Sequence, residues 1–563
     1  MGRFFKLNWL KWLAAGLALG GAAELIRGFA ALFDPLTLDY SEMIVAGMAR
    51  QLSRTSSLAA IYAPLTTPYA LPGVQYPPLF IWLNLLLLKL TGLPPLLSTR
   101  LLAWTAYAGS GFLVGGLVWQ ETRQRWAAVV AAGLPFCFWS VIIFINAARP
   151  DPLALFFSLL AAFFYRRMGK SNSLSKDRSD QTTMKLECHS ERGTSEESVA
   201  ENLRGAEFNI LATDAAGYPL GGRASIPGTP SVPTRRDNEP AFVQIGVGSV
   251  SVKAHLLKLF AIALLCALAF LSKQTYLAIG AAIFFDLMLT RGRRRAALFF
   301  GLTLVALLLG GILLVNTLAD GTFVGIFDPA RAARFIFDKV PGFVGFFVLD
   351  HSPLFLIAGA SMVWQLRRGE KFWPLYTLFA TLACAAIVKD GAVDYYFNEL
   401  AYVLSVNVGL ALAGNSTEPR AKNWLTAAIG VQMLIAVAMF GAWGQGRAFD
   451  NFRQAYSEGV TLVQTAQAQN RPVLIFADNL LLATNHTDLI GDYFIYSILV
   501  ENKRRDPQPL VSDLERGYYD FVIGEEFFRW PQVFQTALDK YYTLHYLDGQ
   551  DGRHLFRLYL RKT

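Results

Sequence analysis

A long apolar run, interrupted by Lys273, extends over residues 256–289, LLKLFAIALLCALAFLSKQTYLAIGAAIFFDLML. Comparable runs with almost no charge recur along most of the chain. Apolar runs of about 18 residues or more can cross the roughly 30 Å hydrocarbon core of a bilayer as helices. The sequence therefore predicts an α-helical protein with many membrane crossings.

The composition agrees with this prediction. Of the 563 residues, 53% are hydrophobic and 17% are charged, whereas soluble domains usually carry about 25% charged residues. The low charge excludes a soluble, disordered or fibrous protein. The formal net charge of +9 is concentrated in short basic clusters beside apolar runs, where it indicates membrane topology rather than nucleic-acid binding.

The basic clusters predict the orientation. They lie at residues 3–11, 123–125, 166–170, 291–295, 367–371 and 420–422. If all of them are cytoplasmic, as the positive-inside rule favours, the chain crosses about 11 times, at residues 10–32, 101–119, 126–146, 152–167, 254–271, 275–290, 296–318, 353–366, 372–388, 397–414 and 423–443. The N-terminus is then cytoplasmic, as a retained first span, and the C-terminus is extracytoplasmic.

Three polar regions divide the chain. Within a transmembrane catalytic domain at 1–443, residues 33–78 form the first extracytoplasmic loop and residues 168–252 a cytoplasmic insertion. The insertion is rich in Ser, Gly, Thr and Pro, which predicts disorder. Residues 444–563 form a small extracytoplasmic α/β domain, because RPVLIFAD (471–478) and YYDFVIGEE (518–526) are typical of strands.

Two shorter features complete the organisation. The apolar run from Leu79 to Leu90 follows Pro77 and Pro78 and is short for a crossing, so we expect a re-entrant or interface helix. The four cysteines have neither CxxC spacing nor neighbouring histidines, and they indicate neither a disulfide framework nor a zinc site.

The first loop carries a pair of carboxylates. Asp39 and Glu42 in LDYSEMIVAGMARQL are three residues apart, which puts both on one face of a short helix. They would lie at the outer lipid boundary. An exposed acidic pair near a helix N-terminus, favoured by the helix dipole, is the alternative.

Further ionisable residues fall at the outer ends of predicted spans. Arg149 and Asp151 occur in NAARPDPLALFF, and Lys273 in FLSKQTYLA. Charged groups at such positions are costly, which favours a functional role. A local salt bridge between Arg149 and Asp151, and a Lys273 that extends harmlessly to the interface, remain alternatives.

Further polar and aromatic residues are predicted at the outer side of the membrane. Tyr76 precedes the two prolines in GVQYPPLFIW, and Asp394, Tyr396, Asn398 and Glu399 lie in KDGAVDYYFNELAYV. Glu399 could instead cap its helix. Together these residues suit a charged lipid head group, since cations stabilise a departing phosphate and a carboxylate accepts the proton of an attacking hydroxyl. That combination is typical of sugar transfer from a lipid phosphate.

The chain resembles GT-C fold glycosyltransferases of the bacterial type, related to protein O-mannosyltransferases and aminoarabinose transferases. The resemblance rests on LDYSE, YPPLFIWL, RPDPLALFFSLLAAFFYRR, SKQTYLA and DYYFNELAYVLSVNVGLAL, in that order, and on the C-terminal segment VLIFADN to VIGEE. It covers nearly all of the chain except 168–252.

The resemblance implies an inverting hexosyl or pentosyl transfer from a polyprenyl-phosphate-linked sugar to an acceptor glycan, lipid or protein at the outer face of the cell membrane. Asp39 would be the base and Glu42 would assist acceptor binding. Many relatives have adjacent acidic residues, so the choice between Asp39 and Glu42 stays open. Arg149 and Lys273 would bind the donor phosphate.

The same resemblance implies a substrate-binding set and raises the question of a metal. The substrate-binding residues would be Asp151, Tyr76, Tyr396, Asn398 and Glu399. Some relatives need a divalent cation, but no convincing ligand set occurs in the sequence, so we expect no cofactor. A transporter or lipid flippase is the main alternative, although internal repeats are absent, and a non-catalytic envelope sensor is another.

Overall fold

The computed structural model describes residues 16, 19–34, 40–59, 61–62, 76–145, 147–169, 248–327, 334–389, 392–414, 424–425, 427–432, 434–435, 445–477, 480, 483–484, 493–503, 505–526, 530–549 and 552–562. The chain divides into two compact units, residues 1–167 with 256–563 and residues 168–255. The predicted disordered insertion at 168–252 falls almost entirely outside the described residues.

The described part of residues 1–443 is mostly helical. Its helices are residues 19–31 (α1), Tyr40–Thr55 (α2), Leu79–Thr91 (α3), Pro95–Thr122 (α4), Arg125–Gly133 (α5), Trp139–Ile142 (α6), 151–169 (α7), Gly248–Ser272 (α8), Ala278–Leu289 (α9), Arg294–Leu318 (α10), Val340–Asp350 (α11), Ser352–Arg367 (α12), Phe372–Ala383 (α13) and Asn398–Gly414 (α14). Residues 427–432 are also helical.

The protein is a multi-pass membrane protein. Within the described ranges, four helical stretches are long and apolar enough to cross a bilayer: Pro95–Thr122, Lys253–Ser272, Arg294–Leu318 and Asp394–Gly414. The pair α11 and α12, bent by 78°, raises the number to five if the two form one span. Shorter apolar helices occur at Leu79–Thr91, Arg125–Cys137, Ala278–Leu289 and Phe372–Val388.

Several of the 11 predicted crossings are therefore not single long helices. The crossing predicted at 126–146 breaks into α5, a 3-10 turn at Leu134–Cys137 and the short helix α6. Pro135 lies in that 3-10 turn, and a proline removes a backbone donor from the helix. Parts of the first and last predicted crossings lie outside the described residues, so the number of crossings stays a prediction.

The two helices next to the first loop pack on the membrane helices. Val45, Met48 and Leu52 on one side of α2 share a buried cluster with Phe80 and Ile81 of α3. The cluster also includes side chains of α4, α7 and α10. The 13 residues of α3 extend about 20 Å, less than a bilayer core.

The helix α14 lies at the centre of the bundle. Its residues from Asn398 to Ala413 are all buried, as expected for a helix that is apolar on every side. It packs on α4, α5, α12 and α13. By contrast, α10 exposes Leu302, Leu309 and Leu313, which form a lipid-facing surface.

The C-terminal region combines helices with one small mixed sheet. Its elements are Gln445–Ala468 (α15), Val473–Phe476 (β1), Tyr493–Glu501 (α16), Gln508–Glu515 (α17), Phe521–Glu525 (β2), Gln532–Tyr541 (α18), Tyr542–Asp548 (β3) and His554–Arg561 (β4). The strand order is β1-β2-β4-β3. The strands β1 and β2 are parallel, and the other two pairs are antiparallel.

The predicted α/β character of this region is confirmed, since β1 and β2 fall within the two quoted strand segments. All four residues of β1 are buried because the sheet is covered on both faces. Leu474 and Phe476 enter one buried cluster, and Val473 and Ile475 enter the other. The β3–β4 hairpin was not predicted; its turn contains Gly552 at a φ of 76°.

A glycine sets how closely α14 approaches its neighbours. A Cβ on Gly409 would lie 2.7 Å from Val118 Cγ2 of α4 and 2.8 Å from Ala131 Cβ of α5. Gly310 on α10 has no atom within 4 Å of such a Cβ. We predict that Gly409→Ala lowers the free energy of unfolding by about 1–3 kcal/mol through overpacking.

Thermal unfolding of the purified protein in detergent measures this effect. The control, Gly310→Ala, should leave the midpoint unchanged or raise it, because alanine favours helix by up to about 1 kcal/mol. Equal midpoints for the two variants would contradict the close packing of α14.

Candidate active site

A fully buried ion pair links α2 to α4. Arg100 Nε donates to Glu42 Oε1 at 2.9 Å, and Arg100 Nη2 donates to Glu42 Oε2 at 3.0 Å. Both side chains have 0% exposure. The contact is the paired, two-point geometry that makes arginine–carboxylate hydrogen bonds strong and directional.

The same pair holds two backbone segments. Arg100 Nη1 donates to the carbonyl oxygens of Asp34, at 2.5 Å, and Ala31, at 3.3 Å, which satisfies acceptors at the C-terminal end of α1. The backbone N–H of Ala148 donates to Glu42 Oε1 at 2.6 Å. The ion pair therefore fixes the segment that immediately precedes Arg149.

Next to this segment, two cations converge on one carboxylate. Arg149 Nε lies 3.3 Å from Asp151 Oδ2, and Lys273 Nζ donates to Asp151 Oδ1. The exposures of Arg149, Asp151 and Lys273 are only 1%, 1% and 3%. Asp151 begins α7, and Lys273 lies in the break between α8 and α9, so chain breaks bring these groups together.

Tyrosine rings surround the two cations. The ring centroid of Tyr395 is 3.7 Å from Arg149 Cζ and 3.9 Å from Lys273 Nζ. The rings of Tyr396 and Tyr76 lie 5.4 Å and 5.8 Å from Lys273 Nζ. Cation–π attraction at these distances stabilises buried cations and holds them at one position.

Asn398 extends the site toward α4. Its Nδ2 donates to the Tyr107 hydroxyl at 2.9 Å, and the residue is fully buried. Its Oδ1 has no hydrogen-bond partner within the described part of the chain. Buried carbonyl oxygens are nearly always satisfied in folded proteins, so this atom is suited to accept a hydrogen bond from a ligand.

Glu399 forms its described hydrogen bond with a tyrosine of a neighbouring helix. Its Oε1 accepts a hydrogen bond from the Tyr376 hydroxyl at 3.0 Å. No hydrogen bond or ion pair described for Glu399 reaches Arg149, Lys273 or Asp151. The carboxylate thus links α14 to α13.

The structure brings five of the predicted residues together: Arg149, Asp151, Lys273, Tyr396 and Tyr76. Asn398 lies beside them through Tyr107, whereas Glu42 and Glu399 are engaged by other groups. Asp39 falls outside the described residues.

Three residues of the candidate site were not predicted from the sequence: Arg100, Tyr107 and Tyr395. Arg100 offered a signal, because it is a charged residue within the apolar stretch LLSTRLLAW. Tyr395 lies beside Tyr396 but was passed over, and Tyr107 gave no signal because a tyrosine in a membrane helix is common.

The described carboxylates are poor metal ligands. Both oxygens of Glu42 bind Arg100, and those of Asp151 contact Lys273 and Arg149. Among the residues that the structure describes, no group of three or more His, Cys, Asp or Glu side chains could hold a metal ion.

Removing one charge of the buried Glu42–Arg100 pair should destabilise the protein. We predict that Glu42→Gln lowers the free energy of unfolding by about 3–5 kcal/mol, because Arg100 keeps its charge in a buried position. The variant Glu42→Gln/Arg100→Gln should be destabilised by less than the sum of the single substitutions.

Denaturant or thermal unfolding in detergent gives all three values. The exposed Glu515→Gln is the matched control and should be neutral. Additive effects of the two single substitutions would contradict a coupled ion pair.

Comparison with known proteins places the fold. No family model matches the chain, and no curated protein does. Among solved structures, ArnT from Cupriavidus metallidurans bound to undecaprenyl phosphate is similar, with 13% identity and a TM-score of 0.52 over 97% of this chain and 98% of ArnT.

A second similar structure is an Archaeoglobus fulgidus oligosaccharyltransferase tethered to an acceptor peptide. It has 11% identity and a TM-score of 0.50 over 100% of this chain and 75% of the oligosaccharyltransferase. Both similarities extend over nearly the full chain, and they confirm the fold that the sequence motifs indicated. The protein is therefore a membrane protein with a GT-C-like fold.

Proposed function

We propose that the protein is a glycosyltransferase that moves a sugar from a polyprenyl-phosphate donor to an acceptor hydroxyl at the outer face of the membrane. The observation that carries the proposal is the buried cluster of Arg149, Asp151 and Lys273 in a GT-C fold. Ionisable side chains at such depth are costly and usually serve a function.

Arg149 and Lys273 bind the donor phosphate in this proposal. Asp151 contacts both cations and, with the Tyr395 ring within 4 Å of each, keeps them close enough to act on one phosphate group. Charge-assisted hydrogen bonds from both would stabilise the negative charge that develops as the phosphate leaves. Undecaprenyl phosphate bound to the similar ArnT structure supports this class of donor.

We propose Asp39 as the general base. A base needs an oxygen within hydrogen-bond reach of the acceptor hydroxyl, and both Glu42 oxygens are already engaged by Arg100 and Ala148. This differs from the sequence-based hypothesis that Glu42 assists acceptor binding. Glu42 instead acts as a positioning residue, since it holds both α2, which begins directly after Asp39, and the segment before Arg149.

The reaction is a single inverting displacement. Asp39 accepts the hydroxyl proton, the acceptor oxygen bonds to the anomeric carbon, and the bond from that carbon to the phosphate oxygen breaks with its electron pair leaving on the phosphate. Asn398, with its buried Oδ1, Tyr396 and Tyr76 contact the substrates. Glu399 orients Tyr376 rather than touching the donor.

The topology and domains complete the proposal. The chain crosses about 11 times, with the N-terminus cytoplasmic, as the basic clusters favour. The domain at 444–563 is extracytoplasmic and contributes to acceptor recognition. Its Arg453 forms an ion pair of 2.8 Å with Asp34, at the start of the first loop, which supports a position beside the site.

The base is tested by sugar transfer in lipid-reconstituted protein with a panel of polyprenyl-phosphate sugars. Asp39→Asn should lower turnover by about 10²–10⁴-fold while donor binding is retained. The control Asp320→Asn removes an exposed carboxylate at the outer end of α10 and should leave turnover unchanged. Full turnover by Asp39→Asn would contradict Asp39 as the base.

The phosphate-binding role is tested separately by direct binding of polyprenyl phosphate. Arg149→Gln and Lys273→Gln should each weaken binding by about tenfold or more, since each removes a charge-assisted hydrogen bond of about 1.5–3 kcal/mol. Arg54→Gln, at an exposed position of α2, is the matched control. Unchanged affinity in both site variants would contradict the assignment.

A lipid flippase or transporter is the competing function. Vesicles that contain the protein and a labelled polyprenyl-phosphate sugar distinguish the two. A flippase would change the leaflet of the label and leave the sugar–phosphate bond intact, whereas the transferase would break that bond.

A further inference from the structure

A polar cavity lies at the opposite end of the helices that carry the candidate site. It has a volume of about 490 Å³, and its lining includes Glu121 of α4, Arg166 of α7 and Ala413 of α14. Those helices begin at or next to the site, with Asp151 starting α7 and Asn398 starting α14. At a rise of about 1.5 Å per residue, roughly 22 Å separates Asp151 from Arg166, so the cavity is distinct from the candidate site.

Two arginines of this cavity, which we call the far cavity, have different kinds of partner. Arg166 pairs with Glu121 at 2.6 Å and with Glu370 at 3.3 Å. Arg368 stacks on Trp364, with its Cζ 3.9 Å from the ring centroid. Since the stacking uses only the face of the guanidinium, its N–H groups at the edge remain able to bind an anion.

Three buried polar atoms of the lining have no hydrogen-bond partner in the described chain: Gln365 Oε1, Gln124 Oε1 and Trp373 Nε1. Gln365 and Trp373 are 3% and 2% exposed. An unsatisfied buried donor or acceptor costs about 1–3 kcal/mol. A cavity that leaves two acceptors and one donor unsatisfied is therefore suited to a ligand that carries both kinds of group.

Helix ends add negative potential to the cavity. The C-terminal ends of α4, at Thr122, α12, at Arg367, and α14, at Gly414, all lie at or next to the lining. The last carbonyl groups of a helix are unsatisfied within it and carry partial negative charge. With the carboxylates of Glu121 and Glu370, they favour a ligand cation that can donate hydrogen bonds.

The cavity adjoins a lipid-facing surface. Val363 and Leu366, next to Trp364 and Gln365 on α12, are 51% and 54% exposed. Exposed apolar side chains at the end of a membrane helix contact acyl chains, and tryptophan is enriched at the head-group level. The ligand is thus more consistent with a lipid than with a soluble metabolite.

We propose that the far cavity binds the head group of a zwitterionic phospholipid with a primary ammonium, the phosphatidylethanolamine class. Arg368 and the Trp373 N–H bind the phosphate. The ammonium donates to Gln365 Oε1, Gln124 Oε1 and the Glu370 carboxylate. The acyl chains lie along α12 beside Val363 and Leu366. This structural lipid belongs to the leaflet opposite the proposed reaction and is no substrate of it.

The test is lipid retention measured by native mass spectrometry of the full-length protein in detergent. Phosphatidylethanolamine, phosphatidylcholine and phosphatidylglycerol are added separately at equal concentration. We expect phosphatidylethanolamine to be retained about tenfold more strongly than phosphatidylcholine, whose trimethylated nitrogen has no N–H to donate; tenfold corresponds to about 1.4 kcal/mol.

Two variants locate the site. Trp373→Phe removes the indole N–H but keeps an aromatic ring, and Arg368→Gln removes an exposed charge; each should weaken the retention of phosphatidylethanolamine by about tenfold, because each removes a group that binds the phosphate. The matched controls are Trp424→Phe, at a residue with 78% exposure, and Arg367→Gln, the neighbouring exposed arginine, and both should leave the retention unchanged.

Four results would overturn the proposal. Equal retention of phosphatidylethanolamine and phosphatidylcholine would show that the site does not recognise the ammonium. Stronger retention of phosphatidylglycerol would show that the site prefers an anionic lipid to a zwitterionic one. Binding of soluble glycerophosphoethanolamine as tight as that of the lipid would exclude a lipid site. Retention of phosphatidylethanolamine that is unchanged in Trp373→Phe and Arg368→Gln would place the lipid elsewhere.

Discussion

The buried ion pair between Glu42 and Arg100 is the constraint on which the candidate site depends. It joins α2 to α4, satisfies carbonyl oxygens at the end of α1, and holds the Ala148 N–H beside Arg149. A buried ion pair has a large desolvation cost that only good geometry and further hydrogen bonds offset. Here those further hydrogen bonds join the ion pair to the backbone segments next to the site. They offset the desolvation cost and fix the positions of Arg149 and Asp151.

Polar links of the same kind connect the central helices. Gln365 of α12 donates to Asn407 of α14, Asn407 donates to Thr377 of α13, and Tyr376 of α13 donates to Glu399 of α14. In a bilayer, apolar side chains give no preference for a helix neighbour over lipid, and close packing and interhelical hydrogen bonds supply it. On the other side of α14, Gly409 allows close packing against α4 and α5. The interhelical hydrogen bonds and this close packing together set the position of Asn398.

The sequence predicted the helical membrane class, the first two strands of the C-terminal sheet, and the convergence of Arg149, Asp151 and Lys273, because apolar length and misplaced charge are local signals. Contacts between distant segments gave no such signal. The spacing of Asp39 and Glu42 made them appear equivalent, and only the position of Arg100, 58 residues beyond Glu42, separates their roles. Likewise, hydropathy alone could not predict the break of the 126–146 run at Pro135.

The most direct test is an experimental structure of the protein with polyprenyl phosphate bound. We expect the phosphate within hydrogen-bond distance of the Arg149 guanidinium and the Lys273 ammonium, with the Asp39 carboxylate facing the reactive side of the head group and Glu42 still paired with Arg100. A phosphate bound at a different position, with the contacts of Arg149 and Lys273 to Asp151 unchanged and no approach of either cation to the lipid, would contradict the proposed donor site.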